Sequence, residues 1–139
     1  MIRELMKDEE FLAIPSEPAT AEDAELAQDL LDTLESLKEE CVGLAANAIG
    51  VSKRVIVFDN NGKPNVMFNP RIKWFSSPYN TQEACMSLEE EHVVRRFKRI
   101  KVAYQELVDG QLVDREKSYR DWTAQIIQHQ IDHCNGVLV

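Results

Sequence analysis

The sequence has no apolar run long enough to cross a bilayer as a helix, which excludes a helical membrane span. Its opening stretch, Met1 to Glu10, breaks every apolar pair with a charge, so it holds no signal-peptide core, and a soluble chain with no membrane partner is expected. Cysteine is scarce as well. Cys41, Cys85 and Cys134 are an odd number set far apart, which is no disulfide framework and fits a reducing cytoplasm. With 5 glycines, no Gly/Ser linker, no repeat and no low-complexity tract, nothing divides the chain. One domain over residues 1–139 is expected, long enough to bury a core without disulfides. Positive charge is the minority sign: 16 Lys and Arg against 24 Asp and Glu, net −8. Direct nucleic-acid binding is therefore not expected, because phosphate neutralisation needs a clustered positive field. The single basic run, Arg95, Arg96, Lys98, Arg99 and Lys101, is read as offsetting acidic helix or facing water.

What is present is periodicity. Pro15 and Pro18 make residues 1–19 irregular. Thr20 then opens a helix, with Asp23 reaching back in a capping box, and Leu26, Leu30, Leu31, Leu34 and Leu37 form one apolar stripe. The small-residue stretch Cys41 to Gly50 reads as a tight turn or as backbone open to close approach by a peptide. From Arg54 the pattern turns to strands. Val55–Phe58 and Asn65–Phe68 flank the turn cluster Asp59-Asn60-Asn61-Gly62, and Ile72–Phe75 is a further strand closed by Ser76-Ser77-Pro78. Ile100, Val102 and Tyr104 alternate before a hairpin at Asp109-Gly110 that leads to Leu112-Val113, and Lys117 to Tyr119 extend the sheet.

The last segment, Gln125 to Gly136, reads as a helix ending at Asn135-Gly136, with Trp122, Ile126 and Ile127 burying one face. His129 and His133 leave it one turn apart on the same side. Two histidines at this spacing serve as metal ligands or as a core pair. A third soft ligand, Cys85, favours a metal with one coordination position left for water. Cys134 and Asp132 point off the histidine face, the first read as a packed thiol and the second as a partner for a basic strand residue. The expected architecture is α+β: mainly antiparallel strands packed around a C-terminal metal-binding helix, with an N-terminal packing helix.

Three stretches stand in a familiar order: Gly43-Leu44-Ala45-Ala46, Glu83-Ala84-Cys85-Met86-Ser87, and Gln128-His129-Gln130-Ile131-Asp132-His133. They resemble the peptide deformylase motifs G-x-G-x-A-A-x-Q, E-G-C-x-S and H-E-x-D-H, over residues 20–139. The resemblance implies a hydrolase that removes the formyl group from N-terminal methionine. It also implies one divalent ion, commonly Fe2+, with Zn2+, Ni2+ or Co2+ able to serve, held by Cys85, His129 and His133. A formyl-methionyl peptide is the implied substrate, lying extended beside Gly43 and Leu44 with its methionine in a pocket of Leu44, Trp122 and Ile126, and transient ribosome association goes with that role. The Met86 backbone amide is the implied oxyanion donor. Two positions depart from the motifs. Gln130 stands where the family has the glutamate that moves protons, and Ala48 where it has the oxyanion glutamine, Asn47 beside it being a substitute donor. A carboxamide hydrogen-bonds to water but does not take and return its proton, so the expectations are a weakened enzyme or a protein that binds metal and formyl-Met peptides without efficient turnover.

Overall fold

The computed structural model describes residues 1–84 and 91–139. Cys85, Met86 and Ser87 lie outside the described residues. In chain order the elements are α1 (Glu9–Leu12), α2 (Ala24–Ser36), β1 (Gly43–Ala45), β2 (Val55–Asn60), β3 (Lys63–Ala84), β4 (Glu91–Val108), β5 (Gln111–Arg120) and α3 (Asp121–Cys134). The fold is α+β, one antiparallel sheet in the order β1-β2-β3-β4-β5. No described helix is long and apolar enough to cross a membrane.

The continuous apolar run of β2 is buried on both faces. Val55 and Val57 join Leu26, Leu30 and Leu34 of α2, whereas Ile56 and Phe58 join Ile127 and Ile131 of α3. The two helices therefore cover opposite faces of the sheet here, which is why this strand does not alternate apolar with polar. Truncating the fully buried Leu30 to alanine would cost about 2–5 kcal/mol.

The capping box forms as expected: Thr20 Oγ accepts from Glu22 N at 3.2 Å and Thr20 N donates to Asp23 Oδ2 at 2.8 Å. A short 3-10 turn, Ala21–Asp23, precedes α2. Both hairpins form on two-residue turns whose residues take positive φ, Asn61 and Gly62 at 54° and 90°, Asp109 and Gly110 at 50° and 78°.

Three expectations are corrected. Residues 1–19 contain the helix α1, started by Asp8, whose side chain accepts from Glu10 N at 3.0 Å. Ser76-Ser77-Pro78 ends no strand: β3 runs on to Ala84, absorbing register shifts between Phe68 and Arg71 and between Ile72 and Trp74, with Ser77 at φ 62°. Trp122 does not bury a helix face, being 58% exposed. Ile126 and Ile127 bury it as expected, joined by Ala124 and Ile131.

Candidate metal centre and its cleft

α3 is fastened to the sheet by Gln128 as well as by its isoleucines. Its Nε2 donates to Phe97 O at 2.8 Å and its Oε1 accepts from Phe97 N at 2.9 Å, so it satisfies strand backbone at a position β5 does not reach. The helix then presents His129 and His133 side by side, 8% and 2% exposed, with their Nε2 atoms 3.0 Å apart.

Each ring is supported differently. His129 Nδ1 lies 2.7 Å from Glu83 Oε1. Arg96 grips the same carboxylate through Nε, at 3.1 and 3.0 Å, and through Nη2 at 2.7 Å, while its Nη1 reaches Asp132 Oδ2 at 2.7 Å. Burial alone would push the Glu83 carboxyl up, but the hydrogen bonds from His129 and Arg96 outweigh it and hold its pKa at about 2. An ionised Glu83 accepts, so His129 donates from Nδ1 and turns its Nε2 toward His133. Asp132 thus meets a basic strand residue, as expected.

His133 is held through its backbone: Asn47 Nδ2 donates to His133 O at 2.9 Å. The expectation that Asn47 replaces an oxyanion donor is corrected by this bond, since its amide is committed and the residue is 1% exposed. Cys134 is fully buried in the α3 core cluster, and burial pushes its thiol up to about 11, so it is a packing residue.

The histidines open on a cleft of about 570 Å³ whose walls include Gly43, Leu44, Ala48, Trp122, Ile126 and Gln130. Every cleft residue expected from sequence within the described residues is therefore brought to one place. Gly43 is closely packed there: a Cβ would stand 3.0 Å from Gln130 Nε2 and 3.0 Å from Ile126 Cγ2, so either side chain would have to give way. Among the described residues β1 is the terminal strand of the sheet, paired with β2. Ala48 contributes a methyl group where the family motif has an amide.

Two nitrogen lone pairs do not face each other at 3.0 Å with nothing between them; a proton or a cation must bridge them. That convergence, with His129 oriented by a carboxylate, fits a divalent metal. Among the described residues no group of three ligands assembles, and Cys85 directly follows Ala84, which lines the cleft. Sequence reasoning assigned no role to Glu83 or Arg96. Glu83 was visible only as a motif letter, and Arg96 was one of five cations with nothing to mark it as the buried one.

The chain is similar to one family throughout. The profile described as polypeptide deformylase matches residues 4–139, taking in the arm before Thr20. A peptide deformylase of Clostridium beijerinckii is 41% identical over 139 residues, covering all of both chains. Among solved structures, peptide deformylase from Thermotoga maritima superposes with a TM-score of 0.87 at 28% identity, over 99% of this chain and 95% of that one. A class I type b enzyme from Acinetobacter baumannii, bound to Met-Ala-Ser, gives 0.85 at 29% identity over 99% and 97%.

Proposed function

Because the chain belongs to the polypeptide deformylase family, hydrolases acting on N-formyl methionine, we propose that His129 and His133, with Cys85, hold one divalent metal at which formyl-methionyl polypeptides are deformylated. The paired Nε2 atoms at 3.0 Å carry the metal reading. Two imidazoles and a thiolate suit Fe2+, Zn2+, Ni2+ or Co2+. When bound, such an ion polarises the formyl carbonyl and lowers the pKa of the attacking water.

The residues of the chain do the rest. The outer edge of β1 at Gly43 and Leu44 offers main-chain hydrogen bonds to an extended peptide, and Leu44, Trp122 and Ile126 receive the methionine side chain. That the A. baumannii relative binds Met-Ala-Ser supports a methionyl peptide as the class of ligand. Gln130 orients the water but does not take its proton. The Met86 amide serves as oxyanion donor, with no side-chain amide from Ala48 to join it. Water adds to the formyl carbon, the C–N bond breaks, and formate and a protonated methionyl amine leave. A transient encounter with the ribosome, where such chains emerge, and a cytoplasmic setting belong to the same reading.

Formate release from a formyl-Met peptide tests it, with metal content measured on wild type and Gln130→Glu. Restoring a proton-transfer group is expected to raise the rate about 10²- to 10⁴-fold at equal metal content. If both proteins hold metal and neither turns over, the reading becomes binding without catalysis. Absence of metal from both would overturn the site itself.

A further inference from the structure

The sheet face turned away from α3 is covered over only part of its length. Leu107 and Leu112 pack against the cluster that α2 makes there, and the alternation of β4 then carries Gln105, Ala103, Lys101 and Arg99 along the same face. Their partners on β5 are Asp114, Glu116, Ser118 and Arg120. Lys101, Arg99, Ser118 and Arg120 are exposed, and so is Trp74, at 53%, beside Lys101 on β3. A hollow of about 450 Å³, with walls that include Arg71, Ala103, Gln105 and Glu116, runs along this stretch. An antiparallel sheet can leave one face to water, so exposure alone assigns nothing.

The charges assign more. Arg99 and Arg120 are direct cross-strand partners, a like-charge pairing that destabilises a sheet, and neither enters an ion pair among the described residues. Lys73 and Lys101 share one carboxylate, that of Glu116, at 3.1 and 3.5 Å. α2 is the converse. Glu25, Asp32 and Glu35 follow one another at helical spacing on its outward side, with Glu22 before them and Glu39 after. Among the described residues the cations that reach the acids of α2 are Met1, Arg3 and Lys38, none of them from the basic strands. Within one chain the basic run therefore does not offset the acidic helix.

We propose that it does so between chains: the open basic face receives α2 of a second copy of this protein. Both features lie on the same side of the sheet. A two-fold axis set between them lays each chain's α2 on the other's open face, an isologous contact that closes on itself. The sizes agree, since the 13 residues of α2 are about 20 Å long and Arg99 to Gln105 span about 20 Å of strand. A helix stands about 10 Å above the sheet it covers, so the stretch beside α2 is a recess of one helix's depth. Glu22, Glu25 and Glu35 then face Arg99, Arg120 and Lys101, with Trp74 as an aromatic anchor inside the contact. A nucleic-acid strand fits the same arginines less well, because the acidic stripe on the same side of a chain of net −8 repels it. α3 covers the opposite face, so this pairing is independent of the metal reading.

Sedimentation equilibrium of the full chain tests it. Wild type is expected to dimerise at about 0.05 M salt, with the dimer Kd raised about tenfold or more at about 0.5 M as screening shortens the reach of the charges. The double variants Arg99→Glu with Arg120→Glu, and Glu22→Lys with Glu25→Lys, are each expected to raise that Kd about 100-fold. All four positions are exposed, so both proteins should keep the wild-type circular dichroism. Mixed in equal amounts the two variants are expected to dimerise again, because each carries the surface that complements the other's reversal. A wild type that stays monomeric at low salt, a dimer that neither variant weakens, or a mixture that fails to reassociate each overturns the proposal. Monomeric wild type that retards a single-stranded RNA in a gel assigns the face to a polyanion and overturns it as well. If a variant does not fold, the wild-type mass at the two salt concentrations decides.

Discussion

Arg96 is the residue on which the support of His129 turns. Its guanidinium and the Glu83 carboxylate are 5% and 7% exposed, and Asp132 occupies the guanidinium's remaining side. Breaking a buried pair costs far more than forming it gained, because one charge stays behind without its partner. Arg96→Met is therefore expected to destabilise the fold by about 3–5 kcal/mol, read as a lower urea midpoint with unchanged slope. Arg96→Lys should recover only part of it, since an ammonium cannot grip two carboxylates as a planar fork does. The sequence could not single out Arg96 among Arg95, Lys98, Arg99 and Lys101, because the inward face of β4 depends on how the strand twists against α3. The histidines differed in this respect. Their i, i+4 spacing settles their shared face before any tertiary contact exists.

At the scale of elements, α3 is placed by what meets its C-terminal end. Gly136 turns the chain at φ 75°, and a Cβ there would stand 2.5 Å from Ala13 O. Ser16 N donates to Cys134 O at 2.8 Å, so the segment after α1 closes over the last turn of the histidine helix. Gly62 has a similar φ of 90° but only open space around it. The two glycines separate backbone strain from crowding. Gly62→Ala is expected to cost about 1–2 kcal/mol for the left-handed conformation alone. Gly136→Ala adds a clash with fixed backbone and is expected to cost about 3 kcal/mol or more. Equilibrium denaturation of the two variants measures the difference. Asn135-Gly136 was legible as a helix end, whereas the approach of Ala13 was not, being a contact between opposite ends of the sequence.

Across the whole molecule, the N-terminal arm ties α2 to the segment behind the cleft. Met6 N donates to Ala48 O at 2.7 Å, Arg3 N to Thr33 Oγ at 3.0 Å, and Arg3 Nε to the buried Asp29 at 3.0 Å. The Met1 ammonium first, and Arg3 after it, hold the Asp29 carboxyl below its ordinary value of 3.8. A depressed carboxyl stabilises the folded arm above its unfolded pKa, and that contribution disappears as pH falls through the lower folded value. Amide-exchange protection at Arg3 and Met6 should accordingly persist at neutral pH, fade below the ordinary carboxylate range, and be weakened at neutral pH in Asp29→Asn. By itself the sequence determined whatever local periodicity and turn chemistry decide: the leucine stripe of α2, both two-residue hairpins, and the histidine pair on one helix face. Only the tertiary structure decided the length of β3, the exposure of Trp122, the burial of Arg96 and the bond from Asn47 to His133. Each of these joins residues distant in sequence, or depends on which strand face the helices cover, and no local pattern encodes that choice.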